Sequence, residues 1–99
     1  MPKQTPKKQS KHDQKVRQVA QQLKHQGWKV EADVSGYKTP KGIGKSGRIP
    51  DIRATKAGAE RLIEVETPST LQKDKKQQET FRRSVGQKKR ATFRIEIAK

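Results

Sequence analysis

Three acidic residues stand where an acid needs a reason. Asp51 directly follows Pro50, and Glu64 and Glu66 sit inside the apolar run Leu62-Ile63-Glu64-Val65-Glu66. Burying a carboxylate without a partner is costly. A hard divalent cation such as Mg²⁺ or Mn²⁺ removes that cost, because it takes its ligands from carboxylate and carbonyl oxygens. Strand side chains repeat every two residues, so Glu64 and Glu66 share one face. On adjacent strands, Asp51 and Glu64 would converge near one strand end, with Val65 adding its backbone carbonyl. A cation held there orients a phosphate and lowers the pKa of an attacking water. Glu66 would then serve as general base or as ligand of a second ion. The competing reading is structural: strand-end acids that pair with nearby Arg and Lys, Glu66 with Lys73.

The remainder of the chain is strongly basic. Its 99 residues carry 25 Lys plus Arg against 10 Asp plus Glu, a formal charge of +15. Such a charge attracts phosphate backbones in a salt-dependent way. Lys38, Lys41, Lys45 and Arg48 are interleaved with glycines and Tyr37, a pattern suited to a loop that approaches phosphate closely. Residues 73–90 hold eight basic and two acidic side chains, a net +6 that includes Lys73, Lys75, Lys76, Arg82 and Arg83. Such a block tracks a phosphate backbone without reading sequence. His12 and His25 lack ligand spacing and read as surface residues. Asp13 suits a helix N-terminus for capping and dipole reasons alone. Cysteine is absent, which excludes disulfide and thiolate chemistry. No apolar run is long enough for a membrane span or a signal-peptide core. A soluble cytoplasmic or nucleoid-associated protein is expected.

The elements that must position these residues follow from local patterns. Residues 1–12 (MPKQTPKKQSKH) read as a disordered basic tail ahead of one domain over 13–99. Val16, Val19, Ala20 and Leu23 have the spacing of an amphipathic helix, capped by Ser10 or Asp13 and ended by Gly27. Trp28, Val30, Ala32 and Val34 alternate as a strand, with Trp28 in the core. The glycine-rich stretch 36–49 is a mobile loop or a long hairpin tip. Strands are expected over 49–55 and 61–67, joined by a turn over 56–60. Pro68 breaks the second, and Ser69 or Thr70 caps a helix whose inner face holds Leu71, Gln78, Phe81, Arg82 and Val85. Ala91, Phe93, Ile95 and Ile97 alternate in a last strand. Leu, Ile, Val and Phe together number 17, under the roughly 20% below which a charged chain tends to disorder. The regular patterning argues for a fold despite this, with a small core.

The order αβββαβ, with Pro50-Asp51-Ile52 on the second strand and Ile63-Glu64-Val65-Glu66 on the third, resembles the PD-(D/E)xK nuclease superfamily. Gly27-Trp28-Lys29-Val30 and Ser35-Gly36 add to the likeness, which spans about residues 13–97. It is closest to small archaeal-type Holliday junction resolvases and related phage or plasmid endonucleases. The resemblance implies an α/β, restriction-endonuclease-like core with a mixed central sheet flanked by helices. It implies a Mg²⁺- or Mn²⁺-dependent endonuclease acting on structured or branched DNA, working as a homodimer. By resemblance Asp51, Glu64 and Val65 hold the metal, Asp13 completes the site, and Ser35 lies near the scissile phosphate. Glu66 occupies the position that most of the superfamily gives to lysine. Some restriction endonucleases resemble this chain in that respect; otherwise Lys45, Lys73, Lys75 or Lys76 would supply the missing amine. The alternative is a catalytically inactive nucleic-acid-binding module on the same fold.

Overall fold

A computed structural model describes residues 10–98, arranged as two helices and a four-stranded sheet. The expected basic tail therefore falls mostly outside the described residues. Its last two residues, Lys11 and His12, belong instead to the first helix, α1, which runs Lys11–His25 and starts earlier than Asp13. Ser10 is the cap: its side-chain Oγ accepts the Asp13 N–H at 3.1 Å. Capping by serine satisfies one of the open N–H groups of the first turn. Gly27, at φ 91°, takes the chain out of the helix in a conformation that favours glycine.

Strand β1 covers Lys29–Ala32, shorter than the alternation predicts. Its ladder with the next strand stops at the pair Ala32 and Ile52, and Asp33 N–H instead bonds Asp51 O at 2.9 Å. The glycine-rich stretch closes into a small hairpin, with Ile43 and Arg48 bonded both ways at 2.7 and 3.0 Å. Gly42 is required there, since a Cβ would lie 2.6 Å from Gly47 O.

β2 spans Ile52–Lys56 and β3 spans Ala59–Glu66. They form an antiparallel hairpin with the two-residue turn Ala57-Gly58, both at positive φ (50° and 84°). That tight turn matches strand twist and replaces the five-residue turn expected over 56–60.

The second helix, α2, covers Lys75–Gly86 and starts later than a cap at Ser69 or Thr70 predicts. The reason is local competition. Thr70 Oγ1 accepts Thr67 N–H at 2.9 Å, and the hydroxyl of Thr67 bonds those of Ser69 and Thr70. Such side-chain bonds offer the backbone an alternative to helix. Leu71 consequently lies outside the helix, and Arg82 is exposed rather than on its inner face. β4, Ala91–Ile97, pairs parallel to β3 and forms one edge of the sheet, with β1 at the other.

The sheet is thus mixed and lies between the helices. Val16, Val19, Ala20 and Leu23 of α1 pack with Ala32, Ile52, Ala54, Ile63 and Val65 on one face. Alternate residues of β3 face the other way, where Leu62 and Phe81 are fully buried and Phe81 lies 6.0 Å from Phe93. Trp28 is half-buried at the margin of the α1 core, under the guanidinium of Arg61 at 4.6 Å. No helix among the described residues is long and apolar enough to cross a membrane.

Candidate metal centre and basic surface

Asp51 is the last residue before β2, and its backbone and carboxylate are both engaged. Its N–H donates to Glu64 Oε2 at 2.8 Å, its carbonyl accepts Asp33 N–H, and its Oδ2 accepts Val65 N–H at 2.8 Å. The β2–β3 register, Ile52 against Ile63, is what brings Asp51 beside Glu64. Glu64 and Glu66 both point toward the α2 side and are each 1% exposed. Gln77 of α2 donates its side-chain amide to Glu64 Oε1 at 2.6 Å. Thr70 donates its hydroxyl to Glu66 Oε1 at 2.7 Å, while Glu66 Oε2 is buried with no hydrogen-bond partner among the described residues.

The same strand face supplies an internal comparison. Glu60 is also buried, but Arg53 and Lys88 contact its two oxygens at 2.6 and 2.8 Å. Burial raises its carboxyl, yet those two cations outweigh it and hold the pKa below the usual range. Glu64 has the opposite balance. Burial, followed by the charge of Asp51, pushes its carboxyl up to about 8. Asp51 is raised too, by burial against the Val65 N–H and His12. Glu66 is raised by burial, with the Asp74 carboxyl adding to it against the Thr70 hydrogen bond. In a chain of +15, no Lys or Arg among the described residues pairs with Asp51, Glu64 or Glu66.

His12 belongs to this cluster, contrary to its reading as a surface residue. Its Nε2 lies 3.2 Å from Asp51 Oδ2 and its Nδ1 lies 3.1 Å from Asp13 Oδ1. Burial pushes the imidazole down, but the hydrogen bond to Asp13 and the charge of Asp51 outweigh it, leaving the pKa above its ordinary value. As imidazolium it donates from both nitrogens. Asp13 therefore reaches Asp51 through His12. His12 contacts the site because α1 begins at Lys11, and no spacing rule in the sequence marks it. Gln77 and Thr70 carry no such mark either, because the end of the turn before α2 decides which side chains face β3.

A hard divalent cation fits this donor set in one respect and not in another. Two adjoining carboxyls whose pKa values burial raises, with an unpartnered carboxylate oxygen beyond them, are what removal of positive charge leaves behind. Among the described residues, however, no three His, Cys, Asp or Glu side chains converge as a ligating group. A site of Asp51 and Glu64 alone matches Mg²⁺, which commonly takes one or two carboxylates and fills its shell with waters and substrate phosphate.

The basic candidates divide. Lys38, Lys41, Lys73, Lys75 and Lys76 are exposed, and none of them pairs with the acids among the described residues. Ser35 accepts a hydrogen bond from Arg17 of α1 at 2.6 Å. Arg48 anchors the small hairpin through its backbone. Arg82 lies over the Phe93 ring at 5.4 Å, on the β4 side of α2. Lys45 and Arg83 both line a cleft between the hairpin and α2. A further cleft, along α1 and the end of β4, is lined by Lys11, Gln14, Lys15 and Gln18 and contains none of the three acids.

No protein-family model, curated protein or solved structure matches the chain.

Proposed function

We propose that the chain is a metal-dependent nuclease of the PD-(D/E)xK type, hydrolysing phosphodiester bonds of DNA on a restriction-endonuclease-like core. The observation that carries this reading is the contrast on β3. Glu60 is matched with two cations, whereas Glu64, Glu66 and Asp51 are kept from every basic side chain described in a strongly basic chain, His12 apart. A buried acid cluster short of counter-charge, beside a surface that draws phosphate, suits a cation arriving with or before its substrate.

In this reading Asp51 and Glu64 hold Mg²⁺ or Mn²⁺, with the Val65 carbonyl alongside. The metal supplies Lewis-acid polarisation of the phosphate and a more acidic bound water. The chain's own residues do the rest. Gln77 and the Asp51 N–H fix the Glu64 carboxylate, and His12 with the Val65 N–H fixes that of Asp51. Glu66, whose Oε2 has no partner among the described residues, is the base that takes a proton from water. Basic residues of the hairpin and α2 hold the backbone. The expected assembly is a homodimer, whose two-fold axis would suit two cuts on paired strands.

A second reading rests on Glu66 and on the exposed lysines. With no lysine at the acids, the fold could bind nucleic acid without cutting it. One experiment separates the two. Labelled branched and linear DNA is incubated with the protein in Mg²⁺, Mn²⁺ or EDTA. Metal-dependent cleavage that Asp51→Ala abolishes, with binding retained, supports the nuclease. Tight salt-sensitive binding with no cleavage of any substrate leaves only the binding module.

A further inference from the structure

The small hairpin and α2 enclose a cleft of about 530 Å³. Gly44, Lys45 and Ser46 form one wall, and Thr80, Arg83 and Ser84 form the other. The walls approach closely at Gly44 and Thr80. A Cβ on Gly44 would meet Thr80 Cγ2 at 3.1 Å, so glycine lets the hairpin seat there. Each wall also leads to one of the site acids. The hairpin strand leaving Arg48 runs through Ile49 and Pro50 into Asp51. The helix wall begins one turn beyond Gln77, whose amide is bonded to Glu64.

The chemistry of the lining is anion-seeking. Lys45 and Arg83 carry positive charge, and Ser46, Thr80 and Ser84 carry hydroxyls. Neither Lys45 nor Arg83 is ion-paired among the described residues, although other basic side chains are committed: Lys88 to Glu60, Arg94 to Glu96, Arg53 to Glu60. Ile49 is the one large apolar side chain standing exposed among the described residues, at 41%, and it lies along the chain between the cleft and Asp51. A charged groove with an apolar step beside it matches a nucleic-acid strand, whose phosphates and sugar or base surfaces alternate. From Gln77 to Ser84 the helix advances roughly 10 Å at 1.5 Å per residue. That covers about three phosphates at roughly 3.4 Å of axis each.

We infer that this cleft is a phosphodiester-backbone anchor, holding the stretch of nucleic acid that flanks the segment at the carboxylates. The inference rests on the nuclease reading for the direction of the strand, but not for the anchor itself. It assigns the anchoring to Lys45 and Arg83 and withholds it from Arg82, which covers Phe93 instead.

The test measures binding of fluorescein-labelled single-stranded and duplex DNA to the full chain in EDTA, over a range of salt. The double variant Lys45→Ala/Arg83→Ala is compared with Lys24→Ala/Lys29→Ala, an equal charge loss at exposed positions in the last turn of α1 and at the start of β1. The anchor variant should bind at least tenfold more weakly. Its slope of log affinity against log salt should fall by about 1.4 for single strands, at roughly 0.7 per phosphate contact. The control should keep its slope. Equal losses in the two variants would overturn the anchor, because the charge would then act without location. So would a chain that ignores DNA but binds phosphatidylserine vesicles through Lys45 and Arg83. Wild-type protein that never cleaves, yet loses DNA binding in the anchor variant only, would sink the nuclease reading and keep the anchor. Metal-dependent cleavage that the anchor variant performs at wild-type KM would do the reverse.

Discussion

Replacing Glu64 with glutamine should make the metal-free protein less sensitive to alkali. Folded Glu64 keeps its proton until about pH 8, whereas an unfolded glutamate loses it near about 4.3. Between those values the folded state binds more protons than the unfolded one. Stability therefore falls as pH rises through that window, by up to ~1.4 kcal/mol per pH unit. From pH 5 to pH 7 the loss attributable to Glu64 is about 2.5 kcal/mol on the same linkage. The substituted amide carries no charge, and the contacts survive: its carbonyl can accept Asp51 N–H, and the Gln77 amide can turn to present oxygen to the new NH₂. Urea titrations in EDTA at pH 5 and pH 7 measure the effect. With a slope of ~1 kcal/mol per molar urea for a domain of this size, the gap between variant and wild-type midpoints should widen by about 2.5 M. Excess Mn²⁺ at pH 7 should restore most of the wild-type midpoint and leave the Glu64→Gln protein nearly unmoved, since binding to the folded state alone stabilises it. Parallel pH dependence of the two proteins would refute the argument, because it would mean that Glu64 ionises in the fold as freely as in the unfolded chain.

Glu60 should behave with the opposite sign. Its lowered pKa contributes stability that is present above the ordinary glutamate range and lost as pH falls, and Glu60→Ala should cost about 1 to 2 kcal/mol at pH 7 by urea titration. His12→Ala should remove a pH-dependent contribution that is full below the ordinary imidazole pKa and disappears as pH rises through the raised one, read as convergence of wild-type and variant melting temperatures in alkali. Phe81→Ala empties the α2 side of the core and should cost about 3 to 5 kcal/mol, enough to unfold most of a small domain at 37 °C by circular dichroism. Gly42→Ala should disturb the 43–48 hairpin, whose backbone it would strike at Gly47, and lower DNA affinity while leaving the melting temperature within a few degrees.

The parts of this structure written in periodic spacing are legible without coordinates. Val16, Val19, Ala20 and Leu23 announce α1, and the alternation through Phe93, Ile95 and Ile97 announces β4, because burial of one face leaves a period in the sequence. The neighbourhood of Asp51 and Glu64 follows from two β-prone segments separated by a glycine turn. What spacing does not encode is hydrogen-bond competition. The hydroxyls of Thr67 and Thr70 delay α2 by several residues, and that delay selects Gln77 as a partner of Glu64. It also turns Thr70 from a helix cap into a hydrogen-bond donor to Glu66. His12 escapes notice for a similar reason: its place depends on Ser10 rather than Asp13 opening the helix.

The two-residue turn at Ala57-Gly58 has a consequence for how such a chain can diverge. It lies at the opposite end of the β2–β3 hairpin from the acids, yet it sets which residue stands beside which along the whole ladder. A single residue inserted there would slide β2 by one position and turn the Asp51 side chain to the other face of the sheet, away from Glu64. The hairpin at 43–48 lies outside the ladder and can change length without moving either acid. Insertions and deletions in descendants of this sequence should therefore collect in the 43–48 hairpin, at a cost to ligand binding but not to the acids, while the distant turn keeps its length.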